Sequence, residues 1–247
     1  MGVTQALSAA EDAFGQQLLD WLDGRREQAL LERDDGYVGP AMDVSYFFTE
    51  PAEWPEAELE VFAAVSGRVL DVGAGAGRHA LAAQTRGYPV VAIDVSPGAV
   101  EVCRRRGVRD VRLLALDDNG PNLGVFDSVL MMCGNFGLVG DRKGAVETLS
   151  RLHRVTSERG RIVLDTVDPS VGIDDADRAY QASNRKRKRM PGQVTIRIRY
   201  RNLATPYYDL LNVSAAELGE LAAETRWRME MVRQDGPDVY AVLAKAG

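Results

Sequence analysis

The chain has 247 residues, a net charge of −6, 45% hydrophobic and 27% charged residues, the balance of an ordinary globular protein able to bury a core without staples. The acidic balance, with a pI near 5.1, weighs against a nucleic-acid binder, which carries a basic excess. Cys103 and Cys133 give no disulfide framework, the opening MGVTQALSAAED has no signal-peptide character, and no apolar run reaches membrane-spanning length, so a reducing cytoplasm is the expected setting.

Ser8 to Glu32 reads as a helix or helix pair, with Phe14, Leu18, Leu22, Leu30 and Leu31 forming an apolar stripe. It either covers a binding site or packs on a sheet edge. Tyr37 to Trp54 holds Tyr37, Tyr46, Phe47, Phe48 and Trp54 in an irregular, Pro- and Gly-punctuated stretch. Such a concentration of rings suggests a lid that excludes water and lines a pocket, with Tyr46 and Phe47 facing a substrate. Pro55 to Ala64 reads as a helix with proline in its first turn.

The stretch VLDVGAGAGRHAL, Val69 to Leu81, is the organising centre of the chain. A short buried strand, glycines at 73, 75 and 77, and then a helix make a ligand cradle. Glycine allows positive φ and close backbone approach, and the helix start offers free N–H groups. PVVAI is a second strand closed by Asp94, placed where an acid holds a ribose diol. Ser96 and Pro97 then start a helix. Val111 to Leu116 is a third strand running into Asp117-Asp118-Asn119, and Phe126 to Met132 a fourth, followed by the loop CGNFGLVGD. A helix to Val155, carrying His153, leads to a fifth strand ending at Asp165.

Asp168 to Asn184 reads as acidic, irregular and then weakly helical. The basic run Arg185 to Arg189 reads as a solvated turn facing Asp174, Asp175 and Asp177, with nucleic-acid binding the sharper alternative. VTIRIRYRN alternates strictly and returns through Tyr207 to Val213 as a hairpin. That hairpin could cap the site, with Arg199 reading an anionic group of the substrate, or form a homodimer surface. Ser214 and Glu217 make a capping box. Arg228 to Gln234 and Val239 to Ala244 are the last strands.

Val69 to Gly77 resembles motif I, (V/L)-L-(D/E)-x-G-x-G-x-G, of the class I S-adenosylmethionine (SAM) methyltransferases. The run VVAIDVSPGAVEVCRRRG, the FD-x-(V/I) entry to the fourth strand and the terminal hairpin are similar to theirs too. The loop around Asn135 looks like the N-(S/F) loops of small-molecule N-methyltransferases. The resemblance implies an α/β fold: a doubly wound, mostly parallel seven-stranded sheet with a C-terminal antiparallel hairpin, an N-terminal helical cap and aromatic lid (1–64), and a core (65–247) carrying an inserted β-hairpin at about 171–213. It implies SAM as cofactor and S-adenosyl-L-homocysteine as product, held by Asp71, Gly73, Ala74, Gly75, Gly77, Asp94, Val95, Leu116, Asp117 and Cys133, with Asp117 by the adenine.

Asn135 and Phe136 would lie near the transferred methyl, with Asn135 and Tyr46 as catalytic candidates and Tyr46, Phe47, Asn135, Phe136 and Arg199 on the substrate. No metal-ligand pattern is present. With no evident base in the loop after the fourth strand, the expected reaction is methylation of a small-molecule acceptor at nitrogen rather than oxygen. An RNA or protein methyltransferase, a non-catalytic SAM-binding protein and a nicotinamide-dependent oxidoreductase are the competing readings; the G-x-G-x-G spacing opposes the last.

Overall fold

The computed structural model describes residues 6–116 and 123–246. In chain order the elements are α1 (Ala13–Leu22), β1 (Leu30–Arg33), β2 (Val38–Pro40), α2 (Glu56–Phe62), β3 (Val69–Val72), α3 (Arg78–Thr85), β4 (Val90–Asp94), α4 (Pro97–Arg106), β5 (Val111–Leu113), β6 (Phe126–Met131), α5 (Arg142–Val155), β7 (Thr156–Val167), α6 (Asp175–Lys186), β8 (Gln193–Tyr200), β9 (Leu203–Ala204), β10 (Tyr208–Leu211), α7 (Ala215–Glu224), β11 (Trp227–Asp235) and β12 (Asp238–Lys245). None of the described helices is long and apolar enough to cross a membrane.

The main sheet has seven strands in the order β11-β12-β7-β6-β3-β4-β5. β3 pairs in parallel with both β4 and β6, and the antiparallel β12 closes the sheet against β7. The doubly wound fold and terminal hairpin expected from the sequence are therefore present. Side chains alternate along each strand, and the alternation divides the core. Leu70, Ile93, Val129, Ile162 and Leu243 fall on the side packed with Leu149 and Leu218 of α5 and α7. Val69, Ala92, Leu130, Val163 and Val242 fall on the side packed with Phe62, Ala83 and Val100 of α2, α3 and α4. Strands covered on both faces need apolar side chains on both, and the central stretches of these strands carry them.

Outside this sheet the chain departs from the expectation. Ser8 to Glu32 is not a helix pair: the helix ends at Leu22, and Leu30 and Leu31 lie in a strand. Their apolar spacing belongs to β1, which pairs antiparallel with β2 and with β8 from the insertion. The expected hairpin is present, with β8 pairing antiparallel with β10, and it is part of a five-stranded sheet, β10-β8-β1-β2 with β9 on β8. Salt links join the two stretches: Arg197 is bidentate to Glu32 at 2.8–3.0 Å, and the Tyr207 hydroxyl donates to Glu32 at 2.7 Å. One face of this small sheet covers α1, where Ala13 clusters with Ile198 and Tyr200.

α1 in turn docks on the core through Asp12, whose carboxylate accepts from Gly15 N at 3.1 Å and from Gly98 N, in the first turn of α4, at 2.7 Å. The approach is so close that a Cβ on Gly98 would lie 2.5 Å from the Gly15 carbonyl carbon. The acidic stretch before the basic run is a true helix, α6, begun by an Asp174–Asp177 capping box. The basic run does not face those acids. Asp177 binds Arg33 and Asp175 binds Arg178, while Arg189 reaches Asp209 at 2.9 Å and Arg187 reaches Asn184 at 3.2 Å.

Candidate active site

The glycine turn sits at the carboxyl end of β3, at the point where strand order reverses, which is where open α/β sheets bind ligands. Gly73, Gly75 and Gly77 have φ of 72°, 55° and 78°, a region that side chains disfavour. Gly73 N and Ala74 N donate to Ile93 O at 2.9 and 3.1 Å, tying the turn to β4. Asp94, at the end of β4, accepts from Gly75 N at 2.8 Å and Ser96 N at 2.9 Å, one bond to each oxygen. Burial pushes its carboxyl up to about 6.

Asp71 is 3% exposed and its Oδ2 has no partner among the described residues. Burial, then the nearby Asp94 charge, pushes it up to about 7. These residues fit an adenosine cofactor with an amino-acid tail. Each Asp94 oxygen keeps a lone pair for a ribose hydroxyl, and the orphaned Asp71 oxygen can receive a cation or N–H donor. A Cβ on Gly75 would meet only the Phe47 ring at 3.9 Å and Gly73 O at 4.0 Å, so the backbone there is open beneath Phe47. Val95, next to Asp94, is partly exposed, and Leu116 is partly buried against the core, its carbonyl accepting from Arg151. Asp117 lies outside the described residues.

The turn after β6 faces the cradle. Asn135 donates through Nδ2 to Val72 O at 3.1 Å and Gly73 O at 2.6 Å. Its amide donors are therefore committed to the glycine turn, and Asn135 acts as a clamp between the two loops, not as a substrate contact through nitrogen. Phe136 is fully buried in the core and does not face a ligand. Arg199 lies on the outer face of the small sheet, half exposed and 3.2 Å from Glu32, and so cannot read a substrate in the site. Cys133 adopts φ 61°, a conformation uncommon outside glycine. Burial raises its thiol well above the ordinary range, which suits an inert wall rather than a nucleophile.

A buried ionic knot beside these loops was not evident in the sequence. Glu58 of α2 is completely buried and meets Arg78 and His79 of α3: Arg78 donates to both its oxygens, one at 3.0 Å, and His79 Nε2 lies 2.7 Å from Oε1. Burial alone would raise the Glu58 carboxyl, but its bonds from His79 and Arg78 hold it below the usual value. Burial keeps His79 below its ordinary value, hence neutral near pH 7. The Arg78 guanidinium stacks over Tyr46 at 4.4 Å and Trp54 at 4.3 Å and donates to Thr49 at 2.8 Å. The aromatic segment is thus bolted to the first turn of α3.

Tyr46 donates to Glu58 at 3.3 Å, and burial drives its phenol far above the ordinary range. Asp165, at the end of β7, accepts from Gly134 N at 2.8 Å and is pushed up to about 7 by burial. The signal for Glu58 was its spacing with Val61 and Phe62, which places an acid on the buried face of a helix. Asp165 carried the weaker signal of an acid closing a parallel strand.

Strand order, glycine turn and closing antiparallel strand give a Rossmann-like arrangement similar to that of the class I SAM-dependent methyltransferases. Residues 69–160 match the family described as "Methyltransferase domain". A SAM-dependent methyltransferase from Bacteroides fragilis, solved with S-adenosyl-L-homocysteine, aligns over 99% of both chains with a TM-score of 0.84 and 26% identity. A Burkholderia thailandensis 1,6-didemethyltoxoflavin-N1-methyltransferase shares the fold at TM-score 0.55 and 17% identity, over 100% of this chain and 94% of that one. A demethylmenaquinone methyltransferase of Clavibacter sepedonicus is 37% identical over 121 residues, 45% of this chain and 46% of that protein. The chain spans about half the length of the curated relatives it matches.

Proposed function

We propose that the protein transfers a methyl group from SAM to a small-molecule acceptor, at nitrogen rather than oxygen. The observation that carries the reading is the open glycine turn flanked by two buried acids, Asp94 and Asp71, one with an oxygen left without a partner among the described residues. When bound, the cofactor supplies an electrophilic methyl on a sulfonium. Asp94 would hold the ribose diol, Asp71 would face the cationic amino group, and Phe47 would shield the turn from water. An acceptor nitrogen held in line with that methyl would need only its lone pair, and the part of the chain would be to orient it and to exclude water.

Nitrogen is favoured because the groups nearest the turn after β6 are already engaged. The Tyr46 phenol is held protonated, and Asp165 already accepts the Gly134 amide. A free amine or ring nitrogen needs no base in the transition state, whereas a hydroxyl benefits from one. The net acidity, and the engagement of Arg187 and Arg189 within the fold, support a small molecule over RNA.

The test is calorimetric titration with S-adenosyl-L-homocysteine and with NAD for the wild type and Asp94→Ala, followed by a radiolabelled-methyl assay on mixed amines, phenols, bulk RNA and protein. Micromolar binding of S-adenosyl-L-homocysteine that Asp94→Ala weakens by about 1–3 kcal/mol, with label passing to an amine, is the expected result. Binding of NAD instead, or label passing to RNA or protein, overturns it.

A further inference from the structure

Two polar groups on the inner side of the small sheet are not used by the cofactor cradle. Ala13, Gln17 and Asp20 recur at i, i+4 and i+7 on α1 and so share a face. Both ends of that face meet the small sheet: Ala13 clusters with Ile198 and Tyr200, and Asp20 accepts from the Tyr200 hydroxyl at 3.0 Å. Gln17 lies between them, 1% exposed, and its Nε2 has no hydrogen-bond partner among the described residues. Buried amides are almost always paired in folded proteins, so this one points to a partner that arrives with a ligand.

The second group comes from β10. Tyr208 pairs with Ile196 on β8, and paired residues project to the same side, so Tyr208 shares the inner face with Ile196 and Ile198. One pleat further, Leu210 on that face reaches the turn that bears Asn135: a Cβ on Gly137 would lie 3.5 Å from Leu210 Cδ2. Tyr208 therefore stands beside the loop that faces the cradle. Its ring is enclosed, which pushes the phenol up to about 12, yet the residue keeps some accessible surface, as a side chain lining a cleft does. Its hydroxyl has no partner among the described residues.

We propose that Gln17 and Tyr208 read the methyl acceptor, hydrogen-bonding a carbonyl or hydroxyl oxygen of a flat, uncharged ring system held between the inner face of the small sheet and the glycine turn. This rests on the methyltransferase reading above and adds the acceptor class to it. Ile196 and Leu210 give the inner face apolar side chains on either side of Tyr208, and on the cradle side the Phe47 ring lies over Gly75. The buried cations on the small sheet and on α3 are already paired, Arg33 with Asp35 and Asp177 and Arg78 with Glu58. A charged acceptor would have to be desolvated without a counter-ion, whereas a ring oxygen meets the Gln17 N–H and the Tyr208 hydroxyl. Such a site discriminates by its polar groups, which are left unpaired by an analogue lacking the oxygen.

The test is calorimetric titration of the protein saturated with S-adenosyl-L-homocysteine, using 4-quinolone and 7-hydroxyquinoline as oxygen-bearing probes, quinoline as the oxygen-free analogue and glycine as a charged amine. At least one oxygen-bearing probe is expected to bind, about tenfold or more tighter than quinoline. Gln17→Leu and Tyr208→Phe should each weaken it by about 5–50-fold while holding S-adenosyl-L-homocysteine affinity within twofold, which also reports that the variants fold. Binding of glycine in preference, no binding of either oxygen-bearing probe, or equal binding of quinoline overturns the proposal. So does either variant that leaves the probe unaffected or loses cofactor affinity in step. If the wild type does not bind S-adenosyl-L-homocysteine at all, it is the methyltransferase reading that has failed.

Discussion

Asn135 decides between two accounts of the turn after β6. As a clamp, its Nδ2 satisfies Val72 O and Gly73 O, and the Gly73 backbone is close enough that an added Cβ would lie 2.7 Å from that nitrogen. Asn135→Ala removes both bonds. Each neutral hydrogen bond contributes about 0.5–1.5 kcal/mol net, so the loss is about 1–3 kcal/mol, or roughly 2–4 °C in Tm for each kcal/mol in a domain of this size. Asn135→Asp should cost more, because a carboxylate oxygen would then face two carbonyl oxygens. Both substitutions should also weaken S-adenosyl-L-homocysteine, since the glycine turn must be re-ordered on binding. The assay is thermal denaturation together with calorimetric titration of the cofactor product. If Asn135→Ala leaves Tm and cofactor affinity unchanged and raises only the KM of an acceptor, the clamp is wrong and the residue contacts substrate.

Glu58→Gln should destabilise by about 3–5 kcal/mol in urea denaturation, because Arg78 is left as a buried charge without its partner. Glu58→Leu with Arg78→Met should recover much of that loss, and failure to recover would show that the knot does more than balance charge. Asp71 gives a pH-dependent prediction. Its carboxyl ionises near 3.8 when unfolded and near 7 when folded, so the native state holds the extra proton between those values and stability falls as pH rises through them. Asp71→Asn abolishes that slope, so its apo stability should gain on the wild type by about 1.4 kcal/mol per pH unit up to about pH 7 and then level off. A constant difference from pH 5 to pH 8 would refute the buried, unpaired carboxylate. S-adenosyl-L-homocysteine, whose ammonium would face Asp71, should bind the wild type more tightly at pH 8 than at pH 6, with proton release detectable in buffers of different ionisation enthalpy.

The core was legible because its determinants are local. The glycine turn, the Ser96 cap and the Ser214–Glu217 box are set by residues within a few positions of one another, and short continuous apolar runs such as Val90 to Ile93 announce a buried parallel sheet. The acceptor side was not, because its determinants are distant. Leu30 and Leu31 read as helix until Ile198 and Arg199 pair with them from the other half of the chain. Arg199 seemed free to seek an anion, and Glu32 takes it up. Asn135 was rightly placed beside the cradle, but which of its atoms are spoken for depends on carbonyls sixty residues earlier. Buried charges such as Glu58 are the hardest to read, since composition alone makes an acid a surface residue.

The pairing of β1 with β8 has a consequence for how such a protein can change its choice of acceptor. The stretch before the core and the stretch inserted late in it form one covering, zipped by backbone bonds and by Glu32, so neither half makes a complete surface alone. A chimaera that exchanged only the N-terminal segment, or only the insertion, would bring together edges whose register and charges do not match. Specificity here should be inherited as a pair of distant segments that move together between relatives, while the cofactor half between them stays as it is.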